Sequence, residues 1–194
     1  TAKGGAYPSL KSLIAAAKAK PGDIPYASAG VGSSTHLAAE YFAQVAGVKM
    51  LHIPYKGSPE AIQDSMAGRT SFYMAPINTA VGQLKEGRLA ALGVSTVKRA
   101  DVLPDVPPIA EQGLPGFEIS LWFGMWARAG TPARAVQTLN AQVNAIVQGA
   151  EVRAQFEKLG IAPLPMKPEE FGKFVREQIV TYQRIVKQGD IPQQ

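Results

Sequence analysis

The chain has 194 residues, of which 46% are hydrophobic and 18% are charged, a composition that supports a packed core and excludes a disordered class of protein. The formal net charge is +5, but lysine and arginine are scattered without a basic run, so nucleic acid is not an expected partner. The absence of cysteine excludes disulfides, thiol catalysis and cysteine metal sites, and two histidines offer few ligands for any other metal site. No run of 18 apolar residues occurs, so the sequence predicts no membrane-spanning helix.

The N-terminal part is predicted to form a helix, a strand, a glycine turn and a second helix. Residues 9–19 carry apolar residues at helical spacing, with Ser9 as the N-cap and a Pro-Gly pair as the stop. Residues 24–27 form a short apolar run typical of a buried strand, and Gly30 and Gly32 follow it. Three hydroxyl residues then offer N-caps for the second helix.

Short strands continue to alternate with helices, which predicts an α/β fold with a parallel sheet. Further strands are expected at residues 50–54, 71–75 and 90–95. Open parallel sheets bind ligands beyond the carboxyl ends of their strands. Three such ends carry small or polar residues, and one crevice would gather them: 28–34, 55–58 and 76–79.

The last part of the chain supplies fewer strands than a separate sheet domain needs. After a proline-rich connection, the sequence predicts an aromatic strand at 117–127 and a brief strand at 161–164. Three helices accompany them, near residues 131–147, 151–159 and 168–189. The aromatic side chains that need burial are Phe117, Trp122, Phe123 and Trp126. Either they dock on the preceding part of the chain, or a partner set of strands is missing.

The turn after the first strand has the features of an anion site. A strand, a glycine turn and a helix start direct unpaired backbone N–H groups to one point, where the helix dipole adds positive potential. The pattern is neither a P-loop nor a complete G-x-G-x-x-G, because Thr35 stands at the third glycine position. An ordinary βα turn that binds nothing is the alternative. No catalytic residue is predicted, since Ser33 lacks a G-x-S-x-G context and the carboxylates lie mostly at helix starts and on polar faces.

Five linked blocks carry a family resemblance: PGDIPYASAGVGSSTHL, HIPYKGSPEAIQD, GRLAALGVSTVKR, LPDVPPIAEQGLPGFE and WFGMWARAGTP. In order and spacing they resemble the Bug receptors, the extracytoplasmic solute-binding proteins of the tripartite tricarboxylate transporter family. The resemblance runs from about residue 10 to the end of the chain. Because family members extend further at the N-terminus, it implies an N-terminally truncated chain.

The resemblance implies a type 2 periplasmic-binding-protein fold, a parallel or mixed sheet flanked by helices, with one lobe complete and the other partial. Residues 5–116 would form the second lobe, and residues 117–194 the C-terminal part of the first. Hinges near residues 6–8 and 117–121 would let the lobes close on a ligand.

The implied function is capture of a small carboxylate in the periplasm, such as a dicarboxylate, an amino acid or an aromatic acid. The receptor would need no cofactor, would not act as an enzyme, and would hand its solute to the membrane subunits of the transporter. We also expect self-association through the exposed incomplete lobe. A ligand-sensing domain of a transcription regulator, which shares this type of fold, is the alternative.

The resemblance also points to candidate ligand-binding residues. The second-lobe binding loop of the family matches the turn that holds Ser28, Ala29, Gly30, Gly32, Ser33 and Ser34. His36 follows in the helix, where it would face the cleft, cap the loop or lie buried. Lys56 and Gly57 stand at a strand end, where their N–H groups would face the crevice unless they only cap the next helix. Pro76 and Asn78 match a position at which family members line the cleft, and Asn78 would hydrogen-bond the ligand.

Overall fold

A computed structural model describes residues 1–189 and 191 of the chain. The helices are α1 (Leu10–Ala19), α2 (Ser34–Ala46), α3 (Ser58–Met66), α4 (Ile77–Lys85), α5 (Ala133–Gln148), α6 (Ala150–Leu159) and α7 (Pro168–Gln188). The strands are β1 (Pro25–Ser28), β2 (Leu51–Pro54) and β3 (Phe72–Tyr73), and a short 3₁₀ helix spans Ile109–Gln112. The helices predicted at residues 9–19, after the glycine turn, between the strands and in the tail are confirmed, with ends shifted by a few residues.

The three strands form a parallel sheet in the order β2-β1-β3, which confirms the predicted α/β fold. Tyr26 of the central strand β1 pairs with His52 of β2 and with Phe72 of β3. The last three residues of β1 are completely buried. Because all three strands run in one direction, their carboxyl ends lie at the same edge of the sheet, as predicted.

Three other predicted strands are wrong. In residues 90–95, Val94 makes an isolated bridge to Pro108 in place of a ladder. Pro107 and Pro108 have no N–H group to donate, so the pairing cannot extend along that segment. Residues 117–127 and 161–164 are irregular, and no strand in the described part of the chain lies beside them to complete a ladder.

The aromatic segment docks on the first part of the chain through one of its side chains. The buried ring of Phe117 stacks on Tyr41 with centroids 5.1 Å apart and meets Phe42 edge-on at 6.2 Å. Phe123 and Trp126 remain 79% and 63% exposed. Docking therefore accounts for Phe117 and leaves an aromatic surface uncovered in the structure.

Helix α7 also returns to the core of the first part. Ile185 is completely buried there, and Gln44 Nε2 of α2 donates to its carbonyl oxygen over 3.0 Å. The helix carries this contact near its C-terminal end. The tail thus contributes to the same hydrophobic core as the sheet.

Candidate ligand-binding site

The turn between β1 and α2 requires glycine at two positions. Gly30 has a φ of +126° and Gly32 a φ of +72°, both in the region that L side chains rarely adopt. A Cβ on Gly30 would also lie 3.3 Å from the carbonyl oxygen of Tyr55. The absence of a side chain at Gly30 therefore lets this turn approach the segment that follows β2.

The backbone N–H groups of the turn are mostly engaged within it. Three of them donate to side chains nearby: Ala29 to Thr35 Oγ1, Gly30 to Ser28 Oγ and Gly32 to His36 Nδ1, over 2.9, 3.1 and 3.1 Å. The expectation of unpaired donors is therefore wrong for these three residues, because nearby polar side chains of the same chain already accept their N–H groups. Ser34 and Thr35 are different, since the first residues of a helix have no intrahelical acceptor for their N–H groups.

Hydroxyl groups from all three strand ends meet beside the start of α2. Thr35 Oγ1 lies 3.0 Å from Ser33 Oγ, and Ser58 Oγ at the start of α3 lies 2.8 Å from the Tyr73 hydroxyl at the end of β3. Burial raises the pKa of Tyr73, against the opposing effect of the Ser58 and Thr35 side chains. The phenol therefore stays protonated at neutral pH and is available as a hydrogen-bond donor.

A cleft of about 1740 Å³ runs past this edge of the sheet. Near the strand ends its polar lining comes from Ser34, Thr35, Tyr73 and Asn78, with Pro76 beside them. It continues along the aromatic segment at residues 118–128, so its volume exceeds the roughly 300–1,000 Å³ of an ordinary small-molecule site. The part with hydrogen-bonding groups at the strand ends is the candidate ligand site.

The structure brings some predicted site residues to this cleft and leaves others away from it. Ser34, Pro76 and Asn78 line it, Asn78 from the first turn of α4. Lys56 is exposed, and its N–H donates to Glu60 Oε2 over 3.0 Å, which matches the helix-capping alternative. Gly57 is the N-cap of α3. The other turn candidates, Ser28, Ala29, Gly30, Gly32 and Ser33, shape the turn beside the cleft without lining it.

Two histidines support the turn from behind. His36 is buried, and its ring lies parallel to that of His52 with centroids 3.7 Å apart and an interplanar angle of 9°. Burial lowers the pKa of His52 to about 4, with a further contribution from His36. Burial also lowers the pKa of His36, against the opposing charge of Glu40. Both imidazoles are therefore neutral at pH 7, and His36 packs behind the turn instead of lining the cleft.

The contact between Ser28 and His52 does not form a catalytic dyad. Ser28 Oγ lies 2.6 Å from His52 Nε2, a distance at which a histidine could activate a serine. The Ser28 side chain is completely buried, however, and its oxygen already accepts the Gly30 N–H. A substrate cannot reach this hydroxyl without unfolding the turn.

Metal binding and membrane crossing find no support in the described residues. Among residues 1–189 and 191, no group of three or more His, Cys, Asp or Glu side chains could hold a metal ion. In the same part of the chain, none of the helices has the length and apolar character needed to cross a bilayer.

Sequence reasoning placed Thr35 among the helix N-cap candidates and Ser58 in the crevice segment 55–58 but chose neither as a site residue. It missed the contributions of His52 and Tyr73. Thr35 and Ser58 each follow a strand at the start of a helix, and that shared position was an available signal. Tyr73 gave no such signal, because its hydroxyl reaches the site only through the pairing of β3 with β1.

The sequence model of the TctC family, described as the tripartite tricarboxylate transporter family receptor, matches residues 4–191. Protein BugT of Bordetella pertussis (strain Tohama I) is 32% identical over 180 residues, which cover 93% of this chain and 55% of BugT. The chain spans about half the length of the curated relatives it matches.

Two similar solved structures contain a small organic acid. The structure of R. palustris Rpa4515 with adipate has a TM-score of 0.89 and 30% identity, covering 98% of this chain and 64% of that one. MatC (Rpa3494) from Rhodopseudomonas palustris with bound malate has a TM-score of 0.83 and 27% identity, covering 95% and 64%. These likenesses confirm the periplasmic-binding-protein fold. Proteins of the matched family are solute-binding receptors and not enzymes, in agreement with the buried Ser28. The chain belongs to the tripartite tricarboxylate transporter receptor family, TctC, which includes the Bug receptors and which its sequence blocks predicted.

Proposed function

We propose that this chain provides one wall of the ligand cleft in a periplasmic receptor that captures a small carboxylate for a tripartite tricarboxylate transporter. The observation that carries the proposal is the meeting of Ser34, Thr35, Tyr73 and Asn78 at the carboxyl edge of the sheet. The adipate and malate in the related structures support an aliphatic dicarboxylate as the ligand class.

Neutral donors are sufficient to bind a carboxylate at this edge. The N–H groups of Ser34 and Thr35 lie at the N-terminus of α2, where the helix dipole favours negative charge. The Tyr73 hydroxyl and the Asn78 amide can add side-chain donors. Hydrogen bonds to an ionised acceptor are shorter and stronger than those between neutral groups, so a few such donors orient the acid.

We further propose that residues 5–116 form the second lobe and residues 117–194 the C-terminal part of the other lobe. The irregular segment at 117–121 supports a hinge there, since it connects the core residue Phe117 to the exposed aromatic residues. The second hinge would lie near residues 6–8. Closure about both would bring a second wall over the strand ends and remove the acid from water.

The membrane subunits of the transporter are the proposed partners of the closed receptor. In addition, we propose that the chain associates with itself through the exposed aromatic surface around Phe123 and Trp126. The alternative of a transcription-regulator domain has no support from the family match or the similar proteins.

An NMR titration of the ¹⁵N-labelled chain with adipate tests the proposal. The amide signals of Ser34, Thr35 and Asn78 are expected to shift with a single saturable curve, and malate to shift the same set. Adipamide is the control ligand, because it has the same length and no negative charge, and it should leave these signals in place.

Two results would contradict the proposal. One is the absence of any adipate-dependent shift at concentrations far above those of ordinary receptor ligands. The other is a set of shifts confined to a surface away from the strand ends. Stronger shifts with glutamate or benzoate than with adipate would support carboxylate capture and replace the proposed ligand class.

A further inference from the structure

The stacked histidines are connected to both glycines of the turn. His36 Nδ1 accepts the Gly32 N–H over 3.1 Å, so this nitrogen carries no proton and the imidazole hydrogen is on Nε2. His52 Nε2 lies 2.6 Å from Ser28 Oγ, which in turn accepts the Gly30 N–H over 3.1 Å. Each imidazole thus holds one glycine, His36 directly and His52 through Ser28.

We propose that His36 and His52 are positioning residues that hold the turn in its ligand-binding shape only while both rings are neutral, and that acid releases the turn. The inference rests on the proposed function, because the turn sets the position of the donors at the start of α2. A proton on His36 Nδ1 would face the Gly32 N–H, so two donors would point at each other and the hydrogen bond would break. A second proton, on His52, would place two cationic rings in parallel contact.

The charged and titratable groups around the pair determine the order of protonation. Glu40 of α2 has its Oε1 4.0 Å from His36 Nε2, and the Tyr26 hydroxyl of β1 donates to the same oxygen. Burial, together with Glu40, raises the pKa of Tyr26, so this phenol remains a neutral donor. His36, which Glu40 favours in its charged form, is therefore expected to protonate before His52.

The remaining neighbouring elements add no opposing charge that faces the rings. On β3, Phe72 stacks on the far side of Tyr26, and the Tyr73 hydroxyl is bonded to Ser58. On α3, Asp64 is occupied by Tyr55 and Arg69. Glu40 is thus the one carboxylate found beside the pair among the residues described.

The direction of the pH effect follows from the lowered pKa values. The unfolded chain binds protons as the pH falls through about 6.5, whereas the folded chain resists protonation of His52 until about pH 4. Folding stability from the neutral pair is therefore fully present above about pH 6.5 and declines as the pH falls from there towards about 4.

An NMR pH titration without ligand tests the inference on the full chain. At neutral pH the imidazole ¹⁵N signals should show His36 as the Nε2–H tautomer, and as the pH falls this ring should take a proton on Nδ1. The protection factor of the Gly32 amide against hydrogen exchange should fall through the same midpoint, because protonation of Nδ1 removes the acceptor of that amide.

Two variants separate positioning from a general structural role. His36→Asn keeps an acceptor oxygen near the Nδ1 position and cannot be protonated, so Gly32 should stay protected across the range. Glu40→Gln removes the nearby negative charge. The midpoint of the His36 titration and the midpoint at which the Gly32 amide loses protection should therefore both move to lower pH. A Gly32 amide that stays protected while His36 titrates, or that loses protection equally in His36→Asn, would overturn the inference.

Adipate added to the same samples at neutral pH distinguishes the two proposals. If the Gly32 amide loses protection as His36 is protonated but adipate shifts no signal, the positioning role stands and the proposed function fails. If adipate shifts the site signals but the protection of Gly32 does not depend on the protonation of His36, the function stands and the positioning role fails.

Discussion

The hydroxyl of Tyr73 lies 2.8 Å from Ser58 Oγ, and this hydrogen bond joins the end of β3 to the start of α3. Ser58 belongs to the segment that follows β2, and Tyr73 lines the cleft next to Thr35. The pair therefore couples two strand ends beside the proposed carboxylate position.

Replacing Tyr73 with phenylalanine should weaken adipate binding and leave the fold intact. The change removes one donor to the carboxylate, and a hydrogen bond to a charged group contributes about 1.5–3 kcal/mol. That loss corresponds to a fall in affinity of roughly tenfold to a hundredfold, measurable by NMR or calorimetric titration.

Tyr41→Phe is the matched control for this change. Its ring packs on Phe117, away from the strand ends, and the same hydroxyl deletion there should leave adipate affinity unchanged. Equal effects of the two substitutions on affinity would remove Tyr73 from the site.

The part of the site that could be predicted is the part that depends on local backbone chemistry. Gly30 and Gly32 indicated a turn because only glycine adopts their φ values easily, and Ser33 indicated the cap of α2. The failed expectation of free N–H groups at Ala29, Gly30 and Gly32 has a different origin. Their acceptors include Thr35 and His36, and whether a polar side chain turns back to the chain or outwards is decided by packing.

The contributions of His52 and Tyr73 could not be predicted because they depend on strand register. His52 lies opposite Tyr26 in the ladder, which places its ring against His36, and Tyr73 pairs with Ala27. The wrong strand at 90–95 has a related cause, because a ladder needs N–H donors along the neighbouring segment. Pro107 and Pro108 have no N–H group, and Val94 makes an isolated bridge to Pro108 in place of a ladder.

Ser33→Ala should reduce both stability and binding. Ser33 Oγ accepts the His36 N–H over 3.3 Å as the N-cap of α2 and donates to the Gly30 carbonyl over 2.7 Å. Loss of a serine N-cap costs about 1 kcal/mol, and the freed Gly30 carbonyl should also loosen the turn. Thermal unfolding and adipate titration measure the two effects.

Ser9→Ala separates capping from site geometry. Ser9 caps α1 in the same manner, by accepting the Ser12 N–H over 3.1 Å at an exposed position. We expect a comparable loss of stability, about 1 kcal/mol, with unchanged affinity. If Ser9→Ala weakened adipate binding as much as Ser33→Ala, the effect of Ser33 would be attributed to stability alone.

Gly30→Ala should prevent ligand binding even where the chain still folds. An alanine at a φ of +126° is strained by about 1–3 kcal/mol, and its methyl group would approach the Tyr55 carbonyl at 3.3 Å. Gly47→Ala is the control, because Gly47 also has a positive φ at the end of α2 but no atom lies within 4 Å of its Cβ position. Retention of adipate binding by Gly30→Ala would show that the shape of the turn does not matter.

The exposed aromatic surface predicts concentration-dependent association of this chain. Replacing Phe123 and Trp126 together with serine should reduce the average mass seen by light scattering, because these are large exposed apolar side chains in one segment. Val97→Ser is the control, since Val97 is 60% exposed but lies in another loop. A chain that is monomeric at every concentration would contradict the prediction.

Ile185→Ala tests whether the tail and the sheet unfold as one unit. Ile185 is completely buried in the core that also contains Tyr26 and Phe42, so the deletion should cost about 2–5 kcal/mol through lost contacts and a cavity. Ile179→Ala changes the same residue type on the same helix at a side chain that is 47% exposed, and its cost should be far smaller. Because α7 packs on the C-terminal part of α2, whose other end adjoins the ligand turn, we expect one cooperative transition shifted to lower temperature. Tryptophan fluorescence of the tail and circular dichroism should report the same transition. Two separated transitions, with only the tail signal lowered by Ile185→Ala, would mean that residues 117–189 dock on the sheet without stabilising it.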